Sequence, residues 1–162
     1  MITASELAGF FAAHAIWCVS NGETLVPMLA YATLDGERTM ERLAYEDLGA
    51  AVEMGRKRLE ANAMDADDAV LLYDGRITVG DVKVDAIIVE IRAYFSPRSK
   101  VLFTVPYTPP TRGRFRVHKP KLLQWEGCED FDVNAASEAF FRGVANHERG
   151  AQVWNDALDE SR

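Results

Sequence analysis

Apolar residues at helical and strand spacing divide the chain into the order α-β-β-α-β-β-β-β-α. Near the start, mostly apolar residues recur at steps of three and four: Leu7, Phe10, Phe11, His14, Trp17 and Cys18. This spacing is typical of one face of a helix. Thr3-Ala4-Ser5-Glu6 has the capping-box pattern, which predicts the beginning of that helix, and Asn21-Gly22 predicts its end.

Two Asp-Gly pairs, Asp35-Gly36 and Asp74-Gly75, each lie between runs of strand-forming residues. Asp-Gly suits the positive φ angles of a type I′ turn, so both pairs predict β-hairpins. Pro27 lies early in the first run, which indicates that this strand begins after it or lies at an edge. Between the two hairpins, a second helix is predicted from Asp47 to Ala61.

Three further strands are expected between residues 82 and 125. The run 82–95 is rich in Val and Ile, which favours a central strand. Residues 100–107 alternate between apolar and polar, which is typical of a strand with one buried face. Residues 114–125 predict a last strand, which is interrupted at Pro120.

A long C-terminal helix is predicted to begin near Asn134. Its apolar positions follow steps of four and three at Phe140, Val144, His147, Ala151, Trp154 and Leu158. Such a narrow seam needs an apolar partner, either the protein's own sheet or a second copy of the chain. We therefore expect a homodimer, with five residues as candidates for self-association: Phe140, Val144, His147, Trp154 and Leu158.

Composition agrees with one globular domain over residues 1–162. Hydrophobic residues make up 48% of the chain and charged residues 27%, which is too apolar for a disordered protein. The fold class that we predict is α+β. It comprises a mainly antiparallel sheet of about five to six strands, an N-terminal helix, one mid-chain helix and a long C-terminal helix.

The two cysteines, Cys18 and Cys128, form neither a disulfide framework nor a zinc motif. The apolar stretch 7–19 contains His14 and has no basic residue before it, which distinguishes it from a signal peptide. We therefore expect a soluble cytoplasmic protein that does not enter a membrane. No motif predicts a metal or a cofactor.

Charge is unevenly distributed along the sequence. The 35 residues from Ile91 to Trp125 contain eight Lys or Arg and no Asp or Glu. Since the whole chain carries −7, the remaining residues carry −15. This overall acidity makes nucleic acid an unlikely partner, because a polyanion would be repelled.

Within that basic segment, Arg112, Arg114, Arg116 and His118 are spaced by two, and Lys119 follows. On one extended strand, the four side chains would project from the same face. That stripe is a candidate docking face for a phosphate-containing ligand or an acidic protein. Alternatively, it pairs with the acidic remainder of the chain, protects a sheet edge, or meets the acidic helices of a second copy.

Carboxylates on the predicted central strand form a second candidate site. Asp81, Asp85 and Glu90-Ile91-Arg92 are similar to the acid and Glu-x-Lys pattern of restriction-endonuclease-like nucleases, where the carboxylates hold Mg²⁺. Here Arg92 stands where Lys is expected, and Arg does not readily assist a base. The other interpretation is a set of ion pairs on a solvated sheet face.

His14 and His147 both lie on apolar helix faces and would meet if the terminal helices pack together. They are candidates for a metal pair or a general base, or are two core histidines with hydrogen-bond partners. No nucleophile motif or glycine-rich phosphate loop is present. We therefore predict a non-enzymatic binding or accessory protein.

The alternative is a small enzyme that acts on an anionic substrate. The arginine stripe would then bind the anion, and Asp85, Glu90 or His118 would act as acid–base groups.

Overall fold

The computed structural model describes residues 1–96, 98–128 and 131–161. Within these ranges the chain forms four α-helices and eight strands. The helices are α1 (Ile2–Ser20), α2 (Leu48–Ala61), α3 (Val133–Asn146) and α4 (Glu148–Ala157). The strands are β1 (Met28–Ala32), β2 (Arg38–Arg42), β3 (Asp68–Val79), β4 (Val82–Ala93), β5 (Lys100–Thr108), β6 (Arg116–His118), β7 (Lys121–Glu126) and β8 (Leu158–Asp159).

The described strands form one sheet in the order β2-β1-β3-β4-β5-β6-β8, and β7 also pairs with β5. β6 and β7 share one edge of β5, at opposite ends of that strand. Every pair is antiparallel except β6 with β8. The predicted α+β class is confirmed. The sheet exceeds five to six strands because the predicted strand 114–125 divides into β6 and β7, and β8 follows α4.

The first predicted hairpin is present, since β1 pairs with β2 and begins directly after Pro27. The second, at Asp74-Gly75, is wrong, because β3 runs straight through this pair. Gly75 packs against Ile88 of β4, and the Tyr107 hydroxyl donates to Asp74 Oδ1 at 2.7 Å. The chain turns instead at the next glycine, Gly80, where φ is 61°.

α1 is the central helix of the fold and packs against the sheet at β3 and β4 and against both α3 and α4. Its buried residues cover most of the helix circumference: Ala4, Ser5, Leu7, Ala8, Gly9, Phe11, Ala12, Ala13, Ala15, Ile16 and Val19. The remaining stripe, at Glu6, Phe10, His14 and Trp17, is partly buried. The predicted single apolar face is therefore wrong. The many small side chains allow neighbours to approach from both sides.

The beginning of α1 also differs from the prediction. The first helical hydrogen bond runs from the Ser5 amide to the Met1 carbonyl, which places Thr3 inside the first turn. Thr3 therefore does not cap the helix, and no side chain makes a capping hydrogen bond there. The end of α1 at Ser20, followed by Asn21, agrees with the prediction.

α1 is long and apolar enough to cross a bilayer by length and composition. In the structure, however, most of this helix is buried inside a globular domain. Its apolar character is that of a core helix packed on both sides.

α2 covers the opposite face of the sheet, as part of a smaller core formed by Leu29, Leu43, Ala51, Leu59, Ala69 and Leu71. The Asp47 carboxylate accepts hydrogen bonds from the amides of Gly49 and Ala50, which caps the helix. Asn62, with φ at 47°, ends it. The predicted helix from Asp47 to Ala61 is thus confirmed.

The predicted single C-terminal helix from Asn134 is wrong, because it consists of α3 and α4. Asp132, not Asn134, caps α3, and the helix ends at Asn146. His147 has extended backbone angles, and its ring accepts a hydrogen bond from the Gly150 amide. The His147 side chain thus begins a new helix at the position where the predicted seam would continue.

Candidate functional site

A cavity of about 670 Å³ lies between α3, α4 and the sheet at β5 and β7. We call it the α3 cavity. Its walls are mostly apolar, with side chains that include Phe103, Leu122, Phe140, Phe141, Val144 and Trp154. Ligand pockets in proteins typically enclose about 300–1,000 Å³ and have such walls with a few polar groups.

Aromatic rings from three elements form the inner wall of the α3 cavity. The Phe140 ring lies 5.6 Å from that of Phe103 and 6.2 Å from that of Trp154. Phe140 and Trp154 are each only 2% exposed, so they belong to the core as well as to the cavity. These buried rings fix the position of α4 against α3 and β5.

The outer rim of the α3 cavity is apolar but exposed. Phe141 is 45% exposed, Leu158 43% and Val133 39%. Phe141 also packs edge-to-face against Trp154 at 6.2 Å. A solvent-facing ring beside a cavity is typical of a surface that contacts a ligand or partner.

The residues predicted for self-association mostly pack within the chain. Phe140, Val144 and Trp154 are buried in the core that contains α1. Leu158 follows α4 as part of β8, which pairs with β6. The apolar partner of the predicted seam is thus largely the protein's own α1 and sheet.

Four polar residues line the α3 cavity: Ser137, which is half-buried, and Lys119, Asn155 and Glu160, which are exposed at its mouth. Lys119 lies in the short connection between β6 and β7, beside Pro120, and is exposed. Within the described part of the chain, Lys119 and Glu160 form no ion pair. The mouth therefore offers one cationic and one anionic group.

The predicted one-faced basic stripe is not present. Arg112 ends a 3₁₀ turn that begins at Pro110, and Gly113 follows with φ at 129°. Arg114 is exposed in this loop, and the strand begins only at Arg116. Arg112 and Arg114 therefore do not lie on an extended strand, and strand alternation does not place them on one face with Arg116.

The stripe residues make separate contacts inside the molecule. Arg112 lies 3.8 Å from Asp85 and Arg116 lies 3.2 Å from Asp159. His118 is buried, with Nδ1 3.3 Å from the Asp159 carbonyl oxygen and Nε2 2.9 Å from the Thr108 hydroxyl. Pairing within the fold was one of the alternatives for the stripe, and these contacts agree with it.

The candidate acid–base residues of β4 do not form one cluster. Glu90 alternates with the residues that face α1 and lies on the α2 side, where it contacts Arg56. Asp85 lies on the opposite face by the same alternation and contacts Arg76 at 3.5 Å. Arg92 is buried, 3.9 Å from Glu60. The nuclease-like arrangement is therefore absent.

Glu90 and His118 are also too far apart for direct proton transfer. Glu90 lies opposite Leu102 of β5, whereas His118 contacts Thr108, six residues further along that strand. At the usual rise per residue this separation is about 20 Å. Catalytic groups must lie within hydrogen-bond reach or be linked by one water.

Glu90 is instead the centre of a structural network. The Tyr73 hydroxyl donates to Glu90 Oε2 at 2.7 Å, and Arg56 donates to the same oxygen at 2.9 Å. Burial, together with the Glu90 carboxylate, raises the pKa of Tyr73 to about 12. The network ties α2 to β3 and β4.

The predicted meeting of His14 and His147 is confirmed. Nδ1 of His14 lies 3.1 Å from Nε2 of His147. Trp17 and Phe10 pack around the pair, with the His147 ring 5.0 Å from that of Phe10. Among the described residues, no three His, Cys, Asp or Glu side chains form a group that could hold a metal ion.

The sequence patterns indicate only part of the α3 cavity. Helical spacing identified Phe140, Val144, Trp154 and Leu158, and the charge pattern identified Lys119. The sequence analysis did not place these residues in one cavity. It did not identify Phe141, which lies off the seam, or Leu122, which comes from β7. The adjacent aromatic pair Phe140-Phe141 was an available signal, because neighbouring helix residues point about 100° apart, so one of two bulky rings lies nearer to the solvent.

No protein-family model matches the chain, and neither the curated proteins nor the solved structures contain a significant match.

Proposed function

We propose that this protein is a non-enzymatic binding protein whose α3 cavity takes a small amphipathic anion. The apolar body of the ligand lies against Phe140, Phe141 and Trp154, and its carboxylate or phosphate contacts Lys119. The observation that carries the proposal is an apolar cavity of about 670 Å³ with a lysine at its mouth.

The separation of the acid–base candidates supports binding rather than catalysis. Asp85 and Glu90 lie on opposite faces of β4, and Glu90 is held by Arg56 and Tyr73. None of the three candidates, Asp85, Glu90 and His118, lines the α3 cavity. A ligand in this cavity would therefore meet no predicted general acid or base.

Calorimetric titration with dodecanoate, dodecyl phosphate and dodecanol tests the proposal. We expect both anions to bind more tightly than the alcohol. Lys119→Gln should weaken anion binding about fivefold, which corresponds to about 1 kcal/mol for an exposed ion pair. Glu160→Gln should strengthen it, because it removes a like charge from the same mouth. Lys57→Gln, an exposed control on α2, should change nothing.

Filling the cavity tests the apolar part of the proposal. Ser137→Phe places a ring inside the α3 cavity and should abolish binding of all three probes. Asn134→Phe adds the same ring at an exposed position of the same helix and should leave binding intact. Absence of binding to the unmodified protein, or equal effects of both variants, would contradict the proposal.

The homodimer expected from the sequence becomes a proposal that uses the exposed rim of the α3 cavity, where Leu158 is the predicted residue that stays accessible. Because Phe140, Val144 and Trp154 are buried within one chain, a second copy would pack on the exposed rim at Phe141, Leu158 and Val133. Light scattering should then show a dimer that Phe141→Arg dissociates. A monomer at high concentration would contradict this.

We also propose a cytoplasmic location. It is supported by the two cysteines, Cys18 and Cys128, which are both free thiols. Disulfides are common in oxidising compartments and rare in the cytosol. Fractionation of the native cells, followed by detection of the protein with an antibody, tests this proposal.

A further inference from the structure

The hydrogen bonds around His147 admit only one arrangement of protons. The Gly150 amide donates to His147 Nδ1 at 2.9 Å, so this nitrogen carries no proton. Neutral His147 must then carry its proton on Nε2, which lies 3.1 Å from His14 Nδ1. His14 Nδ1 is therefore the acceptor, and neutral His14 carries its proton on Nε2. We call this hydrogen bond the histidine contact.

An additional proton at either accepting nitrogen would break this arrangement. On His14 Nδ1, it would face the N–H of His147. On His147 Nδ1, it would face the Gly150 amide and remove the cap of α4, and the positive charge would oppose the helix dipole. α4 lies close to α1 at this point, since a Cβ on Gly150 would lie 2.5 Å from the Ala13 carbonyl oxygen of α1.

The charged groups around the histidine contact come from every neighbouring element. Arg42 of β2 and Glu23, after α1, line the same small cavity as His14 and Cys18. Arg149 of α4 lies over the Trp17 ring at 5.4 Å, and Arg38 of β2 lies over the Phe10 ring at the same distance. Near the end of α3, Asn146 donates to Glu6 of α1. Three arginines and two glutamates thus surround the pair.

These surroundings disfavour a charged imidazole. Burial, followed by the nearby His147 and Arg42, lowers the pKa of His14. Burial also lowers the pKa of His147, against the opposing effect of its backbone hydrogen bond. Both rings are therefore held neutral at a pH where a free histidine begins to take up a proton.

We propose that the histidine contact is a pH-sensitive device that holds α4 against α1 and releases it when a proton enters. α4 supplies Ala151, Trp154 and Asn155 to the α3 cavity, so its release opens one wall. The effect on ligand binding rests on the function proposed above, whereas the movement of α4 does not. We expect acidification to release α4 from α1 and thereby to weaken ligand binding.

Hydrogen–deuterium exchange of the ligand-free protein tests the device directly. After correction for intrinsic exchange, the α4 amides should open about tenfold more often near pH 5.5 than near pH 7.5, from uptake of one proton. His147→Asn retains an uncharged capping acceptor and should abolish this pH dependence. His118→Gln removes the distant third histidine and should preserve it.

A second measurement needs no variant. Nitrogen-15 spectra of the imidazoles near neutral pH should show a proton on His147 Nε2 and none on His147 Nδ1 or His14 Nδ1. The opposite tautomers, or a pH response of α4 that survives in His147→Asn, would overturn the proposal. Loss of dodecanoate affinity near pH 5.5 tests the link to the cavity. If α4 responds to pH but dodecanoate never binds, the device stands and the proposed function fails.

Discussion

The backbone of Gly9 in α1 lies directly against the carbonyl of Phe140 in α3, so that a Cβ on Gly9 would be 1.8 Å from that oxygen. Gly143 makes the reciprocal approach, since its Cβ would be 2.0 Å from the Glu6 carbonyl oxygen. The two helices therefore meet backbone to backbone. Because α3 carries Phe140 and Val144, this approach also fixes the inner wall of the α3 cavity.

We predict that Gly9→Ala lowers the free energy of unfolding by about 3 kcal/mol, because a rigid carbonyl cannot move out of the way of the new methyl group. Urea denaturation checks this through the transition midpoint at unchanged slope. Gly49→Ala is the control, since its Cβ would approach only the Asp47 carboxylate at 3.2 Å. It should change stability by less than about 1 kcal/mol. Equal effects would contradict the close approach of α1 and α3.

The Glu90 network predicts a cost for removing one hydroxyl. Tyr73→Phe deletes the 2.7 Å hydrogen bond to the mostly buried Glu90 carboxylate and should destabilise the protein by about 1–2 kcal/mol. Tyr31→Phe also deletes a tyrosine–glutamate contact, with Glu41, but this one is longer, at 3.5 Å. Its loss should lower the free energy of unfolding by less than about 0.5 kcal/mol. Chemical denaturation of both variants measures the difference. A Tyr31 variant as unstable as the Tyr73 variant would count against the network.

Tyrosine ionisation predicts alkaline unfolding. Burial raises the pKa of Tyr94 to about 12, against the opposing charge of Arg92, and Tyr73 has a similar value. The same phenols ionise near pH 10 in the unfolded chain. The folded state therefore keeps its full free energy of unfolding below about pH 10 and loses part of it as the pH rises towards 12. Urea midpoints across this range, with phenolate absorbance, measure the loss. Tyr94→Phe should make the stability fall less steeply with pH, whereas titration of the Tyr73 and Tyr94 phenols near pH 10 in the folded protein would contradict the prediction.

The elements that were predicted correctly are those that local interactions determine. Asp47 caps α2 with its own side chain, and the alternating apolar residues of β5 from Val101 to Tyr107 are all buried, as their pattern predicts. Both signals lie within a few residues of the structure that they specify. Long-range packing is not needed to interpret them.

The errors arise where tertiary contacts decide between local alternatives. Asp74-Gly75 is a good turn sequence, but Tyr107 from β5 bonds Asp74 and Ile88 packs on Gly75, so the strand continues. At the C-terminus, the helical spacing passes through His147 without interruption in the sequence. The break depends on a ring that caps α4 and contacts His14, which lies 133 positions away in the chain.

The candidate site was predictable only as separate parts. The seam identified Phe140 and Trp154 as apolar and the charge pattern identified Lys119, but neither pattern indicates that they share a cavity. The arginines were misplaced because the glycine at 113 breaks the strand spacing. The sequence pattern thus identifies the apolar and charged side chains separately, and the packing of α3 against β5 and β7 brings them into one cavity.

The packing of α1 against both the sheet and the helices α3 and α4 has a consequence for how the protein is made. α1 precedes in the chain each element against which it packs, and its last partners, α3 and α4, begin only at Val133. A nascent chain therefore carries a long apolar helix with no complete partner until α3 and α4 have been synthesised, and such exposed segments are bound by chaperones or aggregate. The synthesis of α4, rather than that of α1, sets the earliest moment at which the core can close.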